Sequence, residues 1–469
     1  MNKKFLLKPL FSISLFLISV LSIQAQKDNN NNYVDSLKQW SFHFQSTIIP
    51  QIHSKFNGGN YKGKNTLSAQ GDTALSVTTT LFIGRKLWKG AALYFNPEVA
   101  GGRGLGHRDN SNPYDENSYT ASVGVAGFPN GETFRIGSAK PALYVARFYI
   151  EQIIALSDVG IEEVKSENNQ IKQQLPLSRL VITAGKFSIA DMFDNNAYAH
   201  DPRTRFMNWS LMDFGAWDYS ANTRGYTYGL VVELIKPDYE VRFGATLMPT
   251  TANGNVLDWR ISKAGSINLE FQRGFKLFKN QGNVKILAFR NVTKAPAYLE
   301  AANRLNNSDT TIHNYILNGY NDGGVKYGFG ISLEQPINKT SGFFARVSWN
   351  DGKTATWAFT EIDRSYTIGL NYGGSKWKRR NDVVGIALAT NGISSQHRTF
   401  LNTKGGYGFI IGDGSLPNYK MENIFEIYYK AQIASTLFIT ADYQLIGNPA
   451  YNADRGQVNF FALRTHLEF

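Results

Sequence analysis

The feature that most constrains the fold of this chain is a period-two alternation of apolar and polar residues, repeated in short segments from Ser41 to the C-terminus. In the clearest segment, residues 239–247, Tyr, Val, Phe, Ala and Leu alternate with Glu, Arg, Gly and Thr. This period places the two sets of side chains on opposite faces of a β-strand. Residues 226–234 repeat the pattern, and the Lys-Pro-Asp sequence at 236–238 is typical of a turn. The sequence therefore predicts a hairpin with strands of about nine to eleven residues, the length of a tilted membrane strand.

The polar faces separate a membrane barrel from a soluble β-sandwich, which alternates as well. Segments 42–48, 327–334, 425–432 and 437–445 carry Gln, Glu, Lys or Asp opposite faces made mainly of apolar residues. The chain is rich in Phe (31), Tyr (24) and Gly (43), although only 42% of its residues are hydrophobic. One strand face can then meet lipid and the other water, with aromatic residues at the interfaces. We predict an all-β fold, a transmembrane antiparallel β-barrel, for which the pattern allows about fourteen to eighteen strands.

The N-terminus has the parts of a secretory signal peptide. Lysines at positions 3, 4 and 8 precede an uncharged, largely apolar run over residues 9–23, and Ala25 stands at a suitable cleavage point. The run is short for a membrane helix, which needs about 20 residues; an uncleaved anchor is the alternative. We predict a signal peptide over residues 1–25 and, in the absence of a linker, one barrel domain over residues 26–469. The chain has no cysteine, so this exported protein forms no disulfide.

The last residues, 461–469, form an amphipathic segment that ends in Phe469. A final strand of this kind is what outer-membrane barrels present to their assembly machinery, so we expect that machinery to be a partner. We also expect the last strand to close against the first, which leaves the sheet without an edge. The connections differ in length, as in bacterial barrels. Residues 101–120, 157–175, 301–323 and 391–420 form long polar connections. Segment 157–175 fits either a charged helix or a disordered loop.

Three stretches carry motifs that are more specific than periodicity. The first runs from Gly185 through Asp194-Asn-Asn-Ala-Tyr-Ala-His-Asp-Pro-Arg203 to Thr223-Arg-Gly-Tyr226. The second is Ser348-Trp-Asn-Asp-Gly352 with Trp357-Ala-Phe-Thr-Glu-Ile-Asp363, and the third is Asn448-Pro-Ala-Tyr451-Asn-Ala-Asp-Arg-Gly456. Together they resemble the carbohydrate-selective porin (OprB) family over most of the mature chain, less clearly before about residue 130. The resemblance implies a sixteen-stranded barrel with inward-folding loops and diffusion of sugars, glucose-like monosaccharides being the usual family substrate.

Residues 194–218 interleave polar and aromatic side chains, which suit the hydroxyls and the C–H faces of a sugar. At about 30 residues the connection is too long for a turn, so we predict that it folds into the lumen as a constriction. The candidate substrate-binding or constriction residues are Asp194, Asn195, Asp201, Arg203, Arg205, Trp209, Arg224, Glu361 and Asp363. Each of them either contacts the substrate or anchors a loop to the wall. The alternation places Glu361 and Asp363 on one strand face. It predicts a water-exposed lumen wall at Glu240, Arg242, Glu426 and Asp442.

Signals for an enzyme are poor. The seven histidines form no His-Glu-x-x-His motif, and no Gly-x-Ser-x-Gly nucleophile elbow is present. The glycines of residues 101–106 do not lie in a strand-to-helix phosphate loop. Glu361 and Asp363 could pair as catalytic carboxylates, but no base lies near them in sequence. We therefore predict a protein that is not an enzyme and that needs no cofactor or metal.

The charge balance leaves two kinds of channel open. The formal net charge is +12, and removing the three lysines of the predicted signal leaves +9. This balance fits contact with lipopolysaccharide or a weakly anion-favouring pore, whereas export argues against nucleic acid. The favoured hypothesis is a sugar-diffusion porin in the outer membrane of a Gram-negative-type bacterium, with sugars, outer-membrane lipid and lipopolysaccharide as partners. The alternatives are a general or anion-favouring porin and an outer-membrane enzyme or adhesin.

Overall fold

The computed structural model describes residues 39–61, 63–106, 123–136, 141–157, 160–277, 279–309, 311–319 and 321–469. The predicted signal peptide, residues 1–25, lies outside the described residues. Within them, sixteen strands pair with antiparallel neighbours in a closed barrel, which confirms the predicted fold class and the strand number implied by the resemblance. Every helix in the described part of the chain is too short or too polar to cross a bilayer.

The barrel strands are β1 (Trp40–His53), β2 (Asp72–Trp88), β3 (Ala91–Gly102), β4 (Ala142–Ala155), β7 (Arg179–Phe187), β8 (Thr227–Ile235), β9 (Tyr239–Leu247), β10 (Gly265–Leu277), β11 (Asn280–Thr293), β12 (Gly324–Pro336), β13 (Gly342–Asn350), β14 (Arg364–Gly373), β15 (Val383–Gly392), β16 (Glu422–Ala434), β17 (Leu437–Gly447) and β18 (Gln457–Glu468). A separate two-stranded hairpin contains β5 (Ile161–Val164) and β6 (Gln173–Pro176). The helices are α1 (Trp209–Met212), α2 (Tyr298–Asn306), α3 (Ile312–Asn318) and α4 (Ser395–Asn402). The predicted hairpin around residues 236–238 is confirmed as β8 and β9.

The outer face of the barrel is apolar and the inner face polar. On β10, Leu269 is 50% exposed, whereas Asn268 and Glu270 on the opposite face are fully buried. This inverts the pattern of a soluble protein and is the arrangement that a lipid environment favours. Exposed aromatic residues mark both ends of the barrel: Tyr327, Trp349 and Tyr366 at one end, and Trp88, Tyr239 and Tyr429 at the other.

The two ends differ in the length of their connections. At one end, here called the turn end, strands are joined by short segments such as residues 89–90, 236–238 and 435–436. At the other, the loop end, lie the described residues of the connections 54–71, 103–141, 188–226, 248–264, 294–323, 351–363, 393–421 and 448–456. Short turns on one side and long loops on the other are typical of bacterial outer-membrane barrels.

The first and last strands close the barrel. β1 pairs with β18 from Gln45 opposite Glu468 to His53 opposite Phe460. Phe44 and Phe469 exchange two backbone hydrogen bonds of 2.9 and 3.0 Å, and their rings stack with centroids 5.4 Å apart. The predicted closure of the last strand against the first is confirmed.

The lumen is largely filled by loops that fold inward. Glu426 and Asp442 are therefore buried, with 0% and 5% exposure, and the prediction that they line open water is wrong for them. Arg242 is 9% exposed and borders the space that the loops leave in the lumen. Glu240 remains partly exposed. Segment 157–175 was expected to be a helix or a disordered loop, but its described residues contain the β5–β6 hairpin.

Candidate functional site

The central element of the lumen is the segment between β7 and β8, residues 188–226, here called the constriction loop. It contains α1, whose start is capped by Asn208 accepting the N–H of Ser210 at 3.0 Å. Its large apolar side chains, Phe193, Phe206, Trp209, Phe214 and Trp217, are all buried. Burial of this apolar surface favours the inward fold, because an extended loop would expose it to water.

Carboxylates of the barrel wall hold the backbone of the constriction loop. Glu270 on β10 accepts the N–H of Asp194 at 2.8 Å, and Glu334 on β12 accepts that of Ala197 at 2.9 Å. Glu426 on β16 accepts those of Met207 and Asn208 at 2.6 and 2.9 Å. A buried backbone donor needs such a partner, so these inward acids fix the loop in the lumen.

Arg346 on β13 is the main cationic anchor of the same loop. Its guanidinium is 1% exposed in the side chain and donates from Nε to Asp194 Oδ1 at 3.0 Å. It also donates to the carbonyl oxygens of Leu211 at 3.0 Å and Ala199 at 2.6 Å. Asp194 in turn accepts the N–H of Phe214 at 2.7 Å. One side chain from the wall thus binds both arms of the loop.

A second buried cluster surrounds Arg203. This guanidinium donates to Glu132 at 2.8 Å, to Glu98 on β3 at 3.0 Å and to Thr80 on β2 at 3.1 Å. Tyr226 also donates to Glu98 at 2.9 Å. Arg203 is matched by two carboxylates, which compensates the cost of burying its charge.

The constriction loop leaves a cavity of about 490 Å³ between itself and the wall formed by β1, β2, β4 and β7–β9. This volume lies within the usual range of small-molecule sites, about 300–1,000 Å³. The carboxylates that line it are Glu151, Glu167, Asp191, Asp201, Asp213 and Glu233, and the guanidiniums are Arg147, Arg203 and Arg242. Tyr149 and Tyr219 contribute aromatic rings.

The guanidiniums of the cavity are held in fixed ion pairs. Arg147 donates to the two oxygens of Asp191 at 2.7 and 2.5 Å. Arg242 donates to Glu233 at 2.9 Å and to Glu270 at 2.8 Å. The bidentate Arg147–Asp191 pair and the several acids around Arg242 fix the orientation of both guanidiniums, so the cavity offers ordered donors and acceptors rather than mobile charges.

Comparison with known proteins agrees with this geometry. The sequence model described as "Carbohydrate-selective porin, OprB family" matches residues 64–469. The chain belongs to the carbohydrate-selective porin family. Membership makes it a sugar-selective outer-membrane porin, and members of this family are outer-membrane barrels of Gram-negative bacteria. A search of curated proteins gives no match.

One of the matched solved structures shows the same fold. The high-pH structure of Pseudomonas putida OprB aligns with a TM-score of 0.66 at 16% identity, covering 94% of this chain and 96% of that one. The low-pH structure of the same protein aligns with a TM-score of 0.47 at 12% identity, over 95% and 99% of the two chains. The outer-membrane channel DcaP of Acinetobacter baumannii aligns with a TM-score of 0.47 at 7% identity, over 92% and 97%.

Of the predicted site residues, Asn195, Asp201 and Arg203 line the lumen cavity of this porin. Asp201 also accepts the backbone N–H of Arg203 at 3.0 Å. Burial alone would raise the pKa of the Asp201 carboxyl. The charge of Arg203 and this hydrogen bond lower the pKa by a larger amount, so the net pKa lies below the ordinary value. Asp201 therefore presents a carboxylate to the cavity at neutral pH.

The other predicted residues of the constriction loop lie away from the cavity. Asp194 is fully buried beneath Arg346. Trp209 stacks on Phe128 with ring centroids 5.0 Å apart, inside an aromatic cluster. Arg205 hydrogen-bonds Asp201 through its backbone at 2.8 Å, and the Arg224 guanidinium lies over the Tyr144 ring at 4.0 Å. Their contacts are those of residues that position the loop.

Glu361 and Asp363 do not belong to a strand, contrary to the alternation-based prediction. They end the loop 351–363, and β14 begins at Arg364. Glu361 accepts the N–H groups of Ile410 and Ile411 at 2.9 and 2.8 Å, while Asp363 accepts from Ser394 N–H at 2.8 Å and lies 3.0 Å from His397 Nδ1. Both carboxylates are buried and join this loop to residues 393–421.

Sequence reasoning missed several residues of the site. Arg346 was not singled out, although it alternates with outward Val347 on β13 and its inward position could be read from the pattern. Arg147 and Glu151 on β4 line the cavity. Ala146 of β4 is an extra residue where the pairing with Asn96 and Pro97 of β3 shifts, and it interrupts the alternation there. Among the described residues, no cluster of His, Cys, Asp and Glu could hold a metal ion.

His200 gives the cavity a pH-dependent charge. Burial lowers the pKa of its imidazole, but Asp213, 3.0 Å from Nδ1, raises it more, so the net pKa lies above the ordinary value of about 6.5. The stabilisation from this pair is complete below about pH 6.5 and is lost as pH rises through the shifted pKa. Asp194 and Arg346 are the other charges that act on the ring.

We predict that the cation preference of the channel increases as pH rises through this window, because the cavity loses one positive charge. Reversal potentials in a KCl gradient at pH 6 and pH 9 measure the change. His200→Gln should show a smaller change in preference between the two pH values than wild type. An equal pH dependence in wild type and variant would show that other groups control it.

Proposed function

We propose that this porin conducts neutral sugars of glucose size by passive diffusion through the lumen cavity beside the constriction loop. The observation that carries the proposal is the anchoring of residues 188–226 inside the barrel, which leaves a polar space of about 490 Å³ rather than an open bore. Asn195, Asp201 and Arg203 present amide, carboxylate and guanidinium groups to that space. Such groups can replace water around sugar hydroxyls, while the rings of Tyr149 and Tyr219 offer apolar faces.

The charges of the cavity favour a neutral substrate over an anion. Six carboxylates and three guanidiniums line it, and the guanidiniums already pair with acids. An anion would meet a net negative lining, although the whole chain is basic. This observation supports sugar diffusion over the anion-favouring alternative.

We further propose that the loop end faces the outside of the cell and the turn end the periplasm, as in other bacterial barrels. The exposed apolar wall would contact outer-membrane lipid, and the loop-end rim would contact lipopolysaccharide. The C-terminal strand with Phe469 would be read by the assembly machinery. We propose no enzymatic activity, since the contacts of Glu361 and Asp363 are accounted for by loop anchoring.

Liposome swelling with the refolded full chain tests the proposed function. Glucose should enter fastest, a disaccharide more slowly and a trisaccharide at the background rate. In planar bilayers, glucose should lower the ion current in a saturable way. Sugar-independent current would support a general porin, a reversal potential set by chloride an anion channel, and zero conductance a non-channel function; each result contradicts the proposal.

A further inference from the structure

The connection between β4 and β7 differs from its neighbours at the turn end. Residues 156–178 link these two strands, whereas the flanking turns, 89–90 and 236–238, have only two and three residues. Its described residues form the antiparallel pair β5–β6, with Ile161 opposite Pro176 and Val164 opposite Gln173. We call residues 160–178 the turn-end hairpin. A turn would suffice to join the strands, so the extra length needs another explanation.

The hairpin crosses the inside of the barrel mouth and reaches β1. Ser166 Oγ lies 2.9 Å from Ser41 Oγ and 2.9 Å from His43 Nε2, and Ser41 Oγ donates to the carbonyl of Gln170 at 3.3 Å. In the barrel β1 is separated from β4 by β2 and β3. Ser41 and His43 share the inward face of β1 with Gln45, which lines the lumen cavity. The hairpin therefore spans the inner rim of four strands.

Side-chain packing fixes the hairpin in this position. Ile171 is 1% exposed and lies over Gly84 of β2, where an added Cβ would be 3.0 Å from Ile171 Cγ1. Lys86 on the same strand donates to the carbonyl of Lys172 at 3.1 Å. At the base, Arg179 pairs with Glu162 at 2.7 Å. The hairpin is thus a packed element of the lumen wall.

The tip of the hairpin forms part of the lumen cavity. Glu167, Asn168, Asn169 and Gln170 line it opposite Asn195 and Asp201 of the constriction loop. The chain turns at Asn169, whose φ is 56°. Asn169 Oδ1 is buried without a hydrogen-bond partner, and the side chains of Glu167 and Asn168 are exposed. The tip thus presents carboxylate and amide groups to the path below the constriction loop.

We propose that the turn-end hairpin is a second selectivity element, a ledge whose tip residues 167–170 contact the sugar as it passes between the cavity and the turn end. The proposal rests on the proposed function, because it needs sugar to pass through this cavity. Two narrow elements in series then act on the substrate, one supplied by residues 188–226 and one by this hairpin. Amide and carboxylate groups at the tip would replace water on the hydroxyls of the sugar.

Added bulk at the tip tests the proposal. Asn168→Trp places an indole at the cavity, whereas Glu163→Trp adds the same side chain on β5, at a residue that is largely exposed and outside the cavity lining. We expect Asn168→Trp to lower the glucose swelling rate by about threefold or more and Glu163→Trp to leave it unchanged. Equal rates in both variants and wild type overturn the inference.

Shortening the hairpin tests it in the opposite direction. Replacing residues 160–176 by a two-residue Asn-Gly turn should raise the disaccharide swelling rate several-fold and leave glucose less affected. If wild type selects sugars and shortening changes nothing, the inference fails while the proposed function stands. If wild type itself shows no sugar selection, it is the proposed function that fails.

A crosslink checks the position of the hairpin without relying on transport. Because the chain has no cysteine, Ser41→Cys with Ser166→Cys introduces one specific pair. The 2.9 Å between the hydroxyl oxygens suits a disulfide, so oxidation of the folded barrel should link the pair. Phe42→Cys with Ser166→Cys is the matched control, since Phe42 points to the outside and should not link. Failure of the first pair to link would place the hairpin elsewhere and overturn the inference.

Discussion

Arg346→Ala is expected to abolish the size selection of the channel while the barrel remains closed. The substitution removes the guanidinium that binds Asp194 at 3.0 Å and the carbonyl oxygens of Leu211 and Ala199. Asp194 then keeps a buried carboxylate without its cation, and the carbonyls lose a donor. Removing one partner of a buried ion pair costs about 3–5 kcal/mol. The strand pairing of β13 with β12 and β14 uses backbone groups, which the substitution leaves in place.

The loss should act on the constriction loop rather than on the barrel. A cost of about 3 kcal/mol shifts an equilibrium between a docked and a released loop about a hundredfold. Glu270 and Glu426 would still hold parts of the loop, so release should be local to residues around Asp194 and Leu211. The lumen would widen beside the cavity, and sugars too large for wild type would pass.

Liposome swelling with a trisaccharide measures the loss of size selection. Heat-modifiable mobility on an SDS gel verifies that the barrel has folded. We expect a trisaccharide rate about tenfold or more above wild type. Arg346→Lys should be intermediate, because an ammonium retains the charge but cannot reproduce the guanidinium geometry. Arg260→Ala is the matched control, since that side chain is 48% exposed and pairs with Asp258 at the loop end. Unchanged trisaccharide exclusion in a folded Arg346→Ala barrel would refute the anchoring role.

The barrel strands could be predicted from sequence because their information is local. Alternation fixes which face of β9 meets lipid, and the turn residues at 236–238 fix the end of the hairpin. The alternation of residues 461–469 likewise predicts the terminal strand, and its closure against β1 follows because an unpaired edge is unfavourable. In each case a few neighbouring residues decide the structure.

The fate of the inward polar residues could not be predicted in the same way. Alternation places Glu426 in the lumen, but whether it meets water or the backbone of Met207 depends on the path of a loop over 200 residues away. Glu361 and Asp363 fit the alternation of a strand in the sequence. In the structure their carboxylates accept N–H groups of the loop 393–421, and the backbone at these two residues forms a loop rather than a strand. Non-local contacts decided both outcomes.

Only part of the site could be predicted, because non-local contacts decide which residues of the constriction loop reach the cavity. Composition located the constriction loop, and three of its predicted residues, Asn195, Asp201 and Arg203, line the cavity. Residue type alone does not separate these from Asp194 or Trp209, whose contacts are with Arg346 and Phe128. The turn-end hairpin was missed because adjacent charges such as Glu162 and Glu163 obscure its alternation.

Asp218→Ala is expected to release the contact between the constriction loop and the loop 351–363. Asp218 is 1% exposed, and its carboxylate accepts three successive backbone N–H groups: those of Trp357 at 3.0 Å, Ala358 at 2.9 Å and Phe359 at 3.1 Å. Alanine leaves these donors buried without a partner, at about 1–3 kcal/mol each. All three hydrogen bonds join one side chain of the constriction loop to consecutive residues of the loop 351–363.

The isosteric variant separates hydrogen bonding from packing at this position. Asp218→Asn keeps the side-chain shape and one acceptor oxygen, which can still serve Ala358 and Phe359 and loses only the bond to Trp357. Asp218→Asn should therefore release the loop 351–363 much less than Asp218→Ala does. Limited trypsin cleavage after the exposed Lys353 reports release of the loop in the folded barrel.

We expect cleavage after Lys353 to be about a hundredfold faster in Asp218→Ala than in wild type, because opening controls access of the protease and each 1.4 kcal/mol changes it about tenfold. Asp238→Ala, in the exposed turn between β8 and β9, makes the same chemical change without touching a loop and should be cleaved at the wild-type rate. If Asp218→Ala and Asp238→Ala are cleaved at the same rate, the Asp218 carboxylate does not hold the two loops together. Cleavage rates that decrease in the order Asp218→Ala, Asp218→Asn, wild type would establish that backbone N–H groups bound by an acid keep the lumen of this porin narrow.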